Sequence, residues 1–343
     1  MSKHDTTLTR RMFLQAGGLL GAGLALTPLL GGEALAGLVA RESRQRVEAT
    51  RFQMGTFVTI TALHASRDHA EQSVLAAFDE IARLEGLLSR HDASTPLAHL
   101  NRFGLLRDAP HELMAVLESA LQTHRFSGGV FDPSVAPVVE LMRRSGSQAP
   151  SAEDLRSALE LVDAGSIELG RDSIRLGRSG MALTLDGIGK GYIVDKASEM
   201  MTRCGVQDHL INAGGDIRAS GRVTADQGWR VAIENPVHRG GNYPCVLDLR
   251  DLSVATSGAY EQSFGGNRHH IVRPDSGVCP GQALSVSVVA PSVMEADALA
   301  TALFASPVAT GLGLVDSLPG RECFVVSTSG RRAHSRHWTR YQG

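Results

Sequence analysis

Between residues 208 and 256 the chain passes through five short apolar stretches with no helical pattern between them. They are 208–212, 217–220, 229–234, 245–249 and 252–256. Strands that follow one another directly, joined by turns such as Ala213-Gly214-Gly215-Asp216, do not build an alternating doubly wound sheet. The rest of the chain adds further strands and a few helices. Residues 51–63 alternate apolar and polar positions as one strand, and residues 285–290 and 321–327 read as two more. Residues 167–185 read as two strands around the turn Gly177-Arg178-Ser179-Gly180. Helical spacing of Val74, Phe78, Ile81, Leu84 and Leu88 predicts a helix over 71–89. A loop over 89–104 then leads to a second helix, opened by Pro110 and carrying Leu113, Leu117 and Leu121 on one face. Residues 127–134 form a breaker-rich turn, and residues 192–204 another helix. The class is α+β, with mostly antiparallel sheets flanked by helices.

The first 36 residues stand outside this pattern. Arg10-Arg11 followed by Phe13 and Leu14, the apolar run 16–30 and the small-x-small site Ala34-Leu35-Ala36 predict a twin-arginine export signal. The glycines and Pro28 in the apolar run argue against a lasting membrane span. Residues 37–48 read as a linker and 49–343 as one large domain, so the expected location is the periplasm. The whole chain carries a formal charge of −2, and losing residues 1–36 removes three cations (Lys3, Arg10, Arg11) against two anions (Asp5, Glu33), leaving −3. With no basic face, nucleic acid is not an expected partner. Cys204, Cys245, Cys279 and Cys323 form no C-x-x-C pair; they allow three disulfide pairings or none, and the sequence does not choose.

Two distant segments look like halves of one metal and nucleotide site. Residues 183–195 (LTLDGIGKGYIVD) bring glycines to the mouth of a helix, where backbone can approach a phosphate or offer a carbonyl. Residues 294–304 (MEADALATALF) place Asp297 and Thr301 four residues apart, on one face of an otherwise apolar helix. A carboxylate and a hydroxyl there are hard oxygen donors of the kind that suits Mg²⁺. Gly187-Ile188-Gly189-Lys190-Gly191 fits neither the dinucleotide fingerprint nor the P-loop. Ser257 lacks a nucleophile-elbow context. Adjacent His269 and His270 point to opposite sides of a strand, so at most one faces a given site.

Together these segments resemble the ApbE family of FAD:protein FMN transferases. The carriers, in the family's order, are Met54-Gly55-Thr56, Ser89-Arg90-His91-Asp92, Gly129-Val130-Phe131-Asp132-Pro133, residues 183–195, residues 211–217 (INAGGDI), residues 229–236 (WRVAIENP), Thr256-Ser257-Gly258, His270-Ile271 and residues 296–304. The resemblance implies an ApbE-type, T-fold-like domain and an enzyme that uses Mg²⁺ to break the pyrophosphate of FAD. FMN would pass to a Thr or Ser hydroxyl of an acceptor flavoprotein, and AMP would leave. It implies metal ligation by the Gly187 carbonyl, Asp297 and Thr301, and FAD contacts at Met54, Phe131, Asp132, Thr184, Lys190, His270 and Ile271. His91 stands where the family has an aromatic, in a stacking position. Many members carry Asp where this chain has Thr184, so either Thr184 or Asp186 serves the flavin. Lys190 would add positive charge at the phosphates, and His270 would take the acceptor's proton. The Leu-Thr-Leu-x-Gly-Ile form resembles members tied to nitrous oxide reductase maturation, implying a respiratory flavoprotein as target. An FAD pyrophosphatase and a non-catalytic flavin binder are the alternatives.

Overall fold

The computed structural model describes residues 44–237, 243–259, 263–265 and 268–343. The predicted export signal and the first part of the predicted linker lie outside the described residues. The chain enters the fold at β1 (Gln45–Gln53), inside the stretch read as linker, and returns at once as β2 (Thr56–His64). The single strand predicted over 51–63 is therefore a hairpin, paired from Gln45↔His64 to Gln53↔Thr56. Its turn is Met54-Gly55, with φ of 52° and 71°, the left-handed pair that suits a tight two-residue hairpin. The alternation continues on both sides of the turn, which hid it from a periodicity reading.

Helix α1 (Arg67–Leu88) is capped by Ser66, whose Oγ accepts from the His69 N–H, and it buries Val74, Phe78, Ile81, Leu84 and Leu88. The predicted loop 89–104 instead holds α2 (Pro96–Phe103), capped by Thr95 and ended by Gly104 at φ 71°. Eight residues between breakers give too short a period to read. Then follow β3 (Leu105–Arg107), α3 (His111–Phe126), α4 (Ala136–Ser145), α5 (Ala152–Leu159), β4 (Ile167–Leu169) and β5 (Ser173–Leu176). Strands β3, β5 and β4 make a small antiparallel sheet. Its β4–β5 turn is at residues 170–172, not at Gly177–Gly180, and residues 181–185 are not a strand. Their backbone finds other partners: Leu183 exchanges two bonds with the Asn101 side chain (2.7 and 2.9 Å), and the Thr184 N–H donates to the Pro133 carbonyl at 2.8 Å.

The remaining elements are α6 (Gly189–Arg203), β6 (Asp208–Ala213), β7 (Asp216–Ser220), β8 (Trp229–Ile233), β9 (Cys245–Leu249), β10 (Leu252–Gly258), β11 (Ser263–Gly265), β12 (Arg268–His269), β13 (Ala283–Ala290), α7 (Val293–Ala305), α8 (Val308–Asp316), β14 (Glu322–Ser327) and β15 (Arg332–His334). The main sheet has the order β1-β2-β6-β7-β10-β13-β14-β15, antiparallel throughout. Both faces are covered. Ala255, Val288, Cys323 and Val325 pack with Leu299, Leu303 and Phe304 of α7 on one side. Their neighbours Val254, Val289, Phe324 and Val326 pack with the β8–β9 hairpin and Trp338 on the other. Helices α1, α6 and α7 lie side by side across the first face. All four cysteines are free, Cys245 and Cys323 buried and Cys204 and Cys279 half-buried.

One irregularity positions the site. The β6–β7 hairpin turns early, at Gly214-Gly215 (φ 66° and 106°). Pairing of β2 with β6 stops at Val58↔Ala213, and pairing of β10 with β7 stops at Val254↔Ile217. Thr56-Phe57 on one side and residues 255–258 on the other therefore run past the turn, leaving a notch in the end of the sheet.

Candidate active site

Three adjoining cavities occupy this notch. A central one of about 340 Å³ lies between the Met54-Gly55 turn, Ser89-Arg90-His91 after α1, the first turn of α6, and α7. A narrow one of about 60 Å³ continues past Asp186, His270 and Thr301 to Phe131, Asp132, Thr184, Gly187 and Ile271. A third, about 690 Å³, opens on the other side past Met54, Lys190 and Thr256. Every residue that the sequence assigned to the site lines this cleft, although the residues span 54 to 301.

Helices α6 and α7 carry the centre, and three contacts fix their register. Gly191 sits where they cross: a Cβ there would lie 2.5 Å from the Val293 carbonyl oxygen. Its N–H donates to Asp297 Oδ2 at 3.1 Å, so the buried carboxylate is held from α6. In the other direction Asp195 accepts the Val293 and Met294 N–H groups, both at 2.9 Å, at the N-terminus of α7. Burial pushes the Asp195 carboxyl up to about 6, with those two donors pulling it down. One turn beyond Asp297, Thr301 reaches the glycine loop. A Cβ on Gly187 would stand 2.7 Å from Thr301 Oγ1, so only glycine lets that backbone come so near the hydroxyl. Ser257 Oγ lies 3.4 Å from the same oxygen. A carboxylate, a hydroxyl and the Gly187 backbone thus converge as hard oxygen donors, a set suited to Mg²⁺ that leaves room for substrate phosphates. Among the described residues no cluster of three His, Cys, Asp or Glu offers a softer or more crowded alternative.

Around this centre the assignments separate. Lys190 reaches Asp216 at the start of β7, Nζ to Oδ2 2.9 Å. Its charge is tied to a buried carboxylate that the sequence had offered only as part of a turn. Asp186 accepts from Arg90 Nε at 3.0 Å and Nη2 at 2.9 Å, and its N–H donates to Thr184 Oγ1 at 3.2 Å. Burial raises the Asp186 carboxyl and Arg90 lowers it further, leaving it below its ordinary value. Asp132 is committed to the backbone: it caps the turn Pro133–Val135 through Ser134 N–H at 2.8 Å and faces His124 Nδ1 at 3.4 Å. The same His124 Nδ1 lies 2.9 Å from the Phe131 carbonyl, and Asp132 lines the narrow cavity beside Phe131. Met54 keeps its left-handed φ while donating its N–H to Glu85 Oε1 at 3.0 Å. A non-glycine residue there is strained by ~1–3 kcal/mol, as residues at binding sites often are. His91 is exposed on the rim of the central cavity.

The two histidines divide, although β12 ends at His269 and His270 lies in the bend after it. His269 is buried, edge-on to Phe304, with Nε2 3.2 Å from the Pro280 carbonyl; burial lowers its pKa. His270 faces the cleft. Sequence reading missed Glu85, Arg90, Asp195 and Asp216 as site-building residues. Arg90, Asp195 and Asp216 lay inside motifs already singled out, yet nothing local marks a carboxylate as a partner for a cation that is distant in sequence.

Comparison with known proteins identifies the family and the fold. The sequence model of the ApbE family matches residues 54–325. A FAD:protein FMN transferase of Treponema pallidum is 33% identical over 293 residues, covering 77% of this chain and 80% of that protein. One from Escherichia coli K12 is 27% identical over 271 residues, covering 73% and 75%. Among solved structures, the ApbE protein of Thermotoga maritima superposes with a TM-score of 0.79 at 24% identity, over 87% of this chain and all of that one. The flavin transferase ApbE of Vibrio cholerae gives 0.75 at 22%, over 87% and 99%. The family match spans the cleft from the Met54 turn to α7, and by it the chain belongs to the ApbE family.

Proposed function

We propose that the protein transfers FMN from FAD to a Thr or Ser hydroxyl of an acceptor flavoprotein and releases AMP. The observation that carries the reading is the close approach of Gly187 to Thr301, one turn from buried Asp297, inside a cleft that opens on two sides. Relatives named FAD:protein FMN transferase support the reaction class. Gly187, Asp297 and Thr301 would hold Mg²⁺, which when bound supplies positive charge to the pyrophosphate.

The chain's own residues do the rest. Gly191 and Asp195 fix α6 against α7 and so fix the spacing of the donors. Lys190, positioned by Asp216, brings positive charge to the cleft, while Phe131 and Ile271 wall the narrow end. The acceptor oxygen attacks the FMN phosphorus, the bond to the AMP oxygen breaks, and His270 takes the hydroxyl proton. Positioning and charge carry most of a phosphoryl transfer. The reading extends to place: the twin-arginine motif at Arg10-Arg11 supports action in the periplasm. The acceptor would be a periplasmic or periplasm-facing respiratory flavoprotein, and the form of residues 183–188 supports one from nitrous oxide reductase maturation.

The test mixes the protein with FAD, Mg²⁺ and a candidate periplasmic flavoprotein domain. A covalent FMN adduct by intact mass, matched by AMP and lost on chelation, is expected. An Asp297→Ala protein that still transfers FMN at the parent rate would sink the metal assignment. AMP formed without an adduct on any acceptor would make the protein an FAD pyrophosphatase.

A further inference from the structure

The largest cavity of the cleft is not required to hold FAD or a metal, because of the residues assigned to them only Met54 and Lys190 line it. Its outer wall is Val231, Ala232, Ile233 and Glu234, four residues in succession. Side chains alternate across a strand, so a cavity touched by consecutive residues runs along the strand's backbone edge rather than over one face. Strand β8 pairs with β9 on one edge, from Trp229↔Leu249 to Ile233↔Cys245. Among the described residues no strand pairs with its other edge. The opposite wall is Asn212, the Gly214-Gly215 turn and Thr56-Phe57.

The groove joins charged and apolar chemistry. At one end Lys190 and Thr256 are shared with the central cavity, where the phosphates would lie. On the wall opposite β8, Phe57 is 70% exposed and meets Phe52, 67% exposed, edge-on with centroids 5.5 Å apart. Val237 and Tyr243, beyond the end of β8 and before β9, are also exposed. An unpaired strand edge that faces exposed aromatic rings across a groove is a surface that can capture extended polypeptide by strand addition.

We propose that this groove is the acceptor site: an extended segment of the flavoprotein adds to the open edge of β8, anchors an apolar side chain on Phe57 and Phe52, and carries its hydroxyl past Thr256 into the central cavity. The proposal rests on the FMN-transfer reading. It explains why the cleft needs two entrances, one for FAD and one for a nucleophile that is part of another protein. The five residues of β8 span ~17 Å, enough for a five-residue strand.

Two variants avoid both the core and the assigned site: Ala232→Arg, at an exposed position of β8, and Phe57→Ala. They would be compared with the parent for acceptor KM, for FAD Kd by flavin fluorescence, and for acceptor-independent AMP release. The probes are a periplasmic flavoprotein domain and a 15-residue peptide spanning one of its Thr residues. Acceptor KM should rise about tenfold or more with Ala232→Arg, as for loss of a central interface contact, while FAD Kd and AMP release stay within about twofold. The peptide should slow amide hydrogen exchange at Val231–Ile233 in the parent. An FAD Kd that rises in step with acceptor KM would give the cavity to FAD and overturn the proposal, as would unchanged KM with no protection of β8. A parent protein that labels no acceptor would defeat the transfer reading instead, and exchange at β8 would still decide the groove.

Discussion

Replacing Gly187 by alanine tests the centre of the site with a single methyl group. That methyl would lie 2.7 Å from Thr301 Oγ1, 3.0 Å from Cγ2 and 3.2 Å from Cβ. Ordinary contact begins at 3.4 Å, so the hydroxyl side falls short by 0.7 Å. Thr301 sits in the middle of α7, whose position is pinned by Asp195 and Gly191, so the helix cannot back away and the side chain must turn. Overpacking of this kind costs ~1–3 kcal/mol. If all of it appears as lost donor geometry, the Mg²⁺ concentration at half-maximal turnover rises about 5- to 140-fold, at 1.4 kcal/mol per decade. The assay is FAD turnover against Mg²⁺ for the parent, Gly187→Ala and Gly187→Ala/Thr301→Ser, which removes the crowding methyl of Thr301. The double variant should recover part of the Mg²⁺ affinity. A Gly187→Ala protein with the parent's Mg²⁺ dependence would refute the inference that this backbone and this hydroxyl share a ligand.

Four further outcomes follow from the same structure. Asp297→Asn keeps the shape and the acceptor for Gly191 N–H but loses the charge; turnover should fall about 100-fold or more with little change in Tm, as for removal of a single charge-stabilising group. Gly191→Ala drives a methyl to 2.5–2.7 Å from Val293 and Met294 backbone, which cannot give, so Tm should drop by the equivalent of ~1–3 kcal/mol. His209 is buried and held neutral, its Nδ1–H donating to the Val206 carbonyl at 2.9 Å and its Nε2 accepting from Ser198 Oγ at 2.7 Å; burial lowers its pKa to about 4. The unfolded chain then binds the extra proton between pH 6.5 and 4, so stability is full above 6.5 and declines by ~3 kcal/mol toward pH 4, a decline that urea melts of His209→Asn should lack. Arg90→Met removes the guanidinium that holds Asp186 low; the stability this pair gives exists above the ordinary carboxylate pKa of ~3.9 and fades below it, so the gap between variant and parent in chemical melts should narrow as pH falls through that range.

What could be read in the sequence follows from where the information lies. Helices α1, α3 and α6 each bury a face that repeats over three or more turns, α7 is apolar and buried almost all round, and the consecutive strands 208–256 announced an antiparallel sheet. The Asp297–Thr301 face and the glycine loop were visible because each is local. The hairpin at Met54-Gly55 was hidden by alternation that continues through it, and α2 by its brevity. Lys190 with Asp216 and Arg90 with Asp186 were hidden for a different reason. These pairings join separate elements of the fold, and no periodicity relates positions 26 or 96 residues apart.

The order of the main sheet has a kinetic consequence. Val58 pairs with Ala213, and Ala255 with Val288, so the ends of the notch are joined across long loops whose closure entropy must be met before any contact rewards it. Topologies of this kind fold slowly, and the pocket needs the whole of this one, because Met54 precedes β2, Asp186 precedes α6 and Thr301 lies in α7. A half-folded chain has no purchase on the ligand. Saturation at 100 times Kd therefore deepens the native well alone, by ~2.7 kcal/mol. On the FMN-transfer reading, capture of FAD would thus also report completed folding.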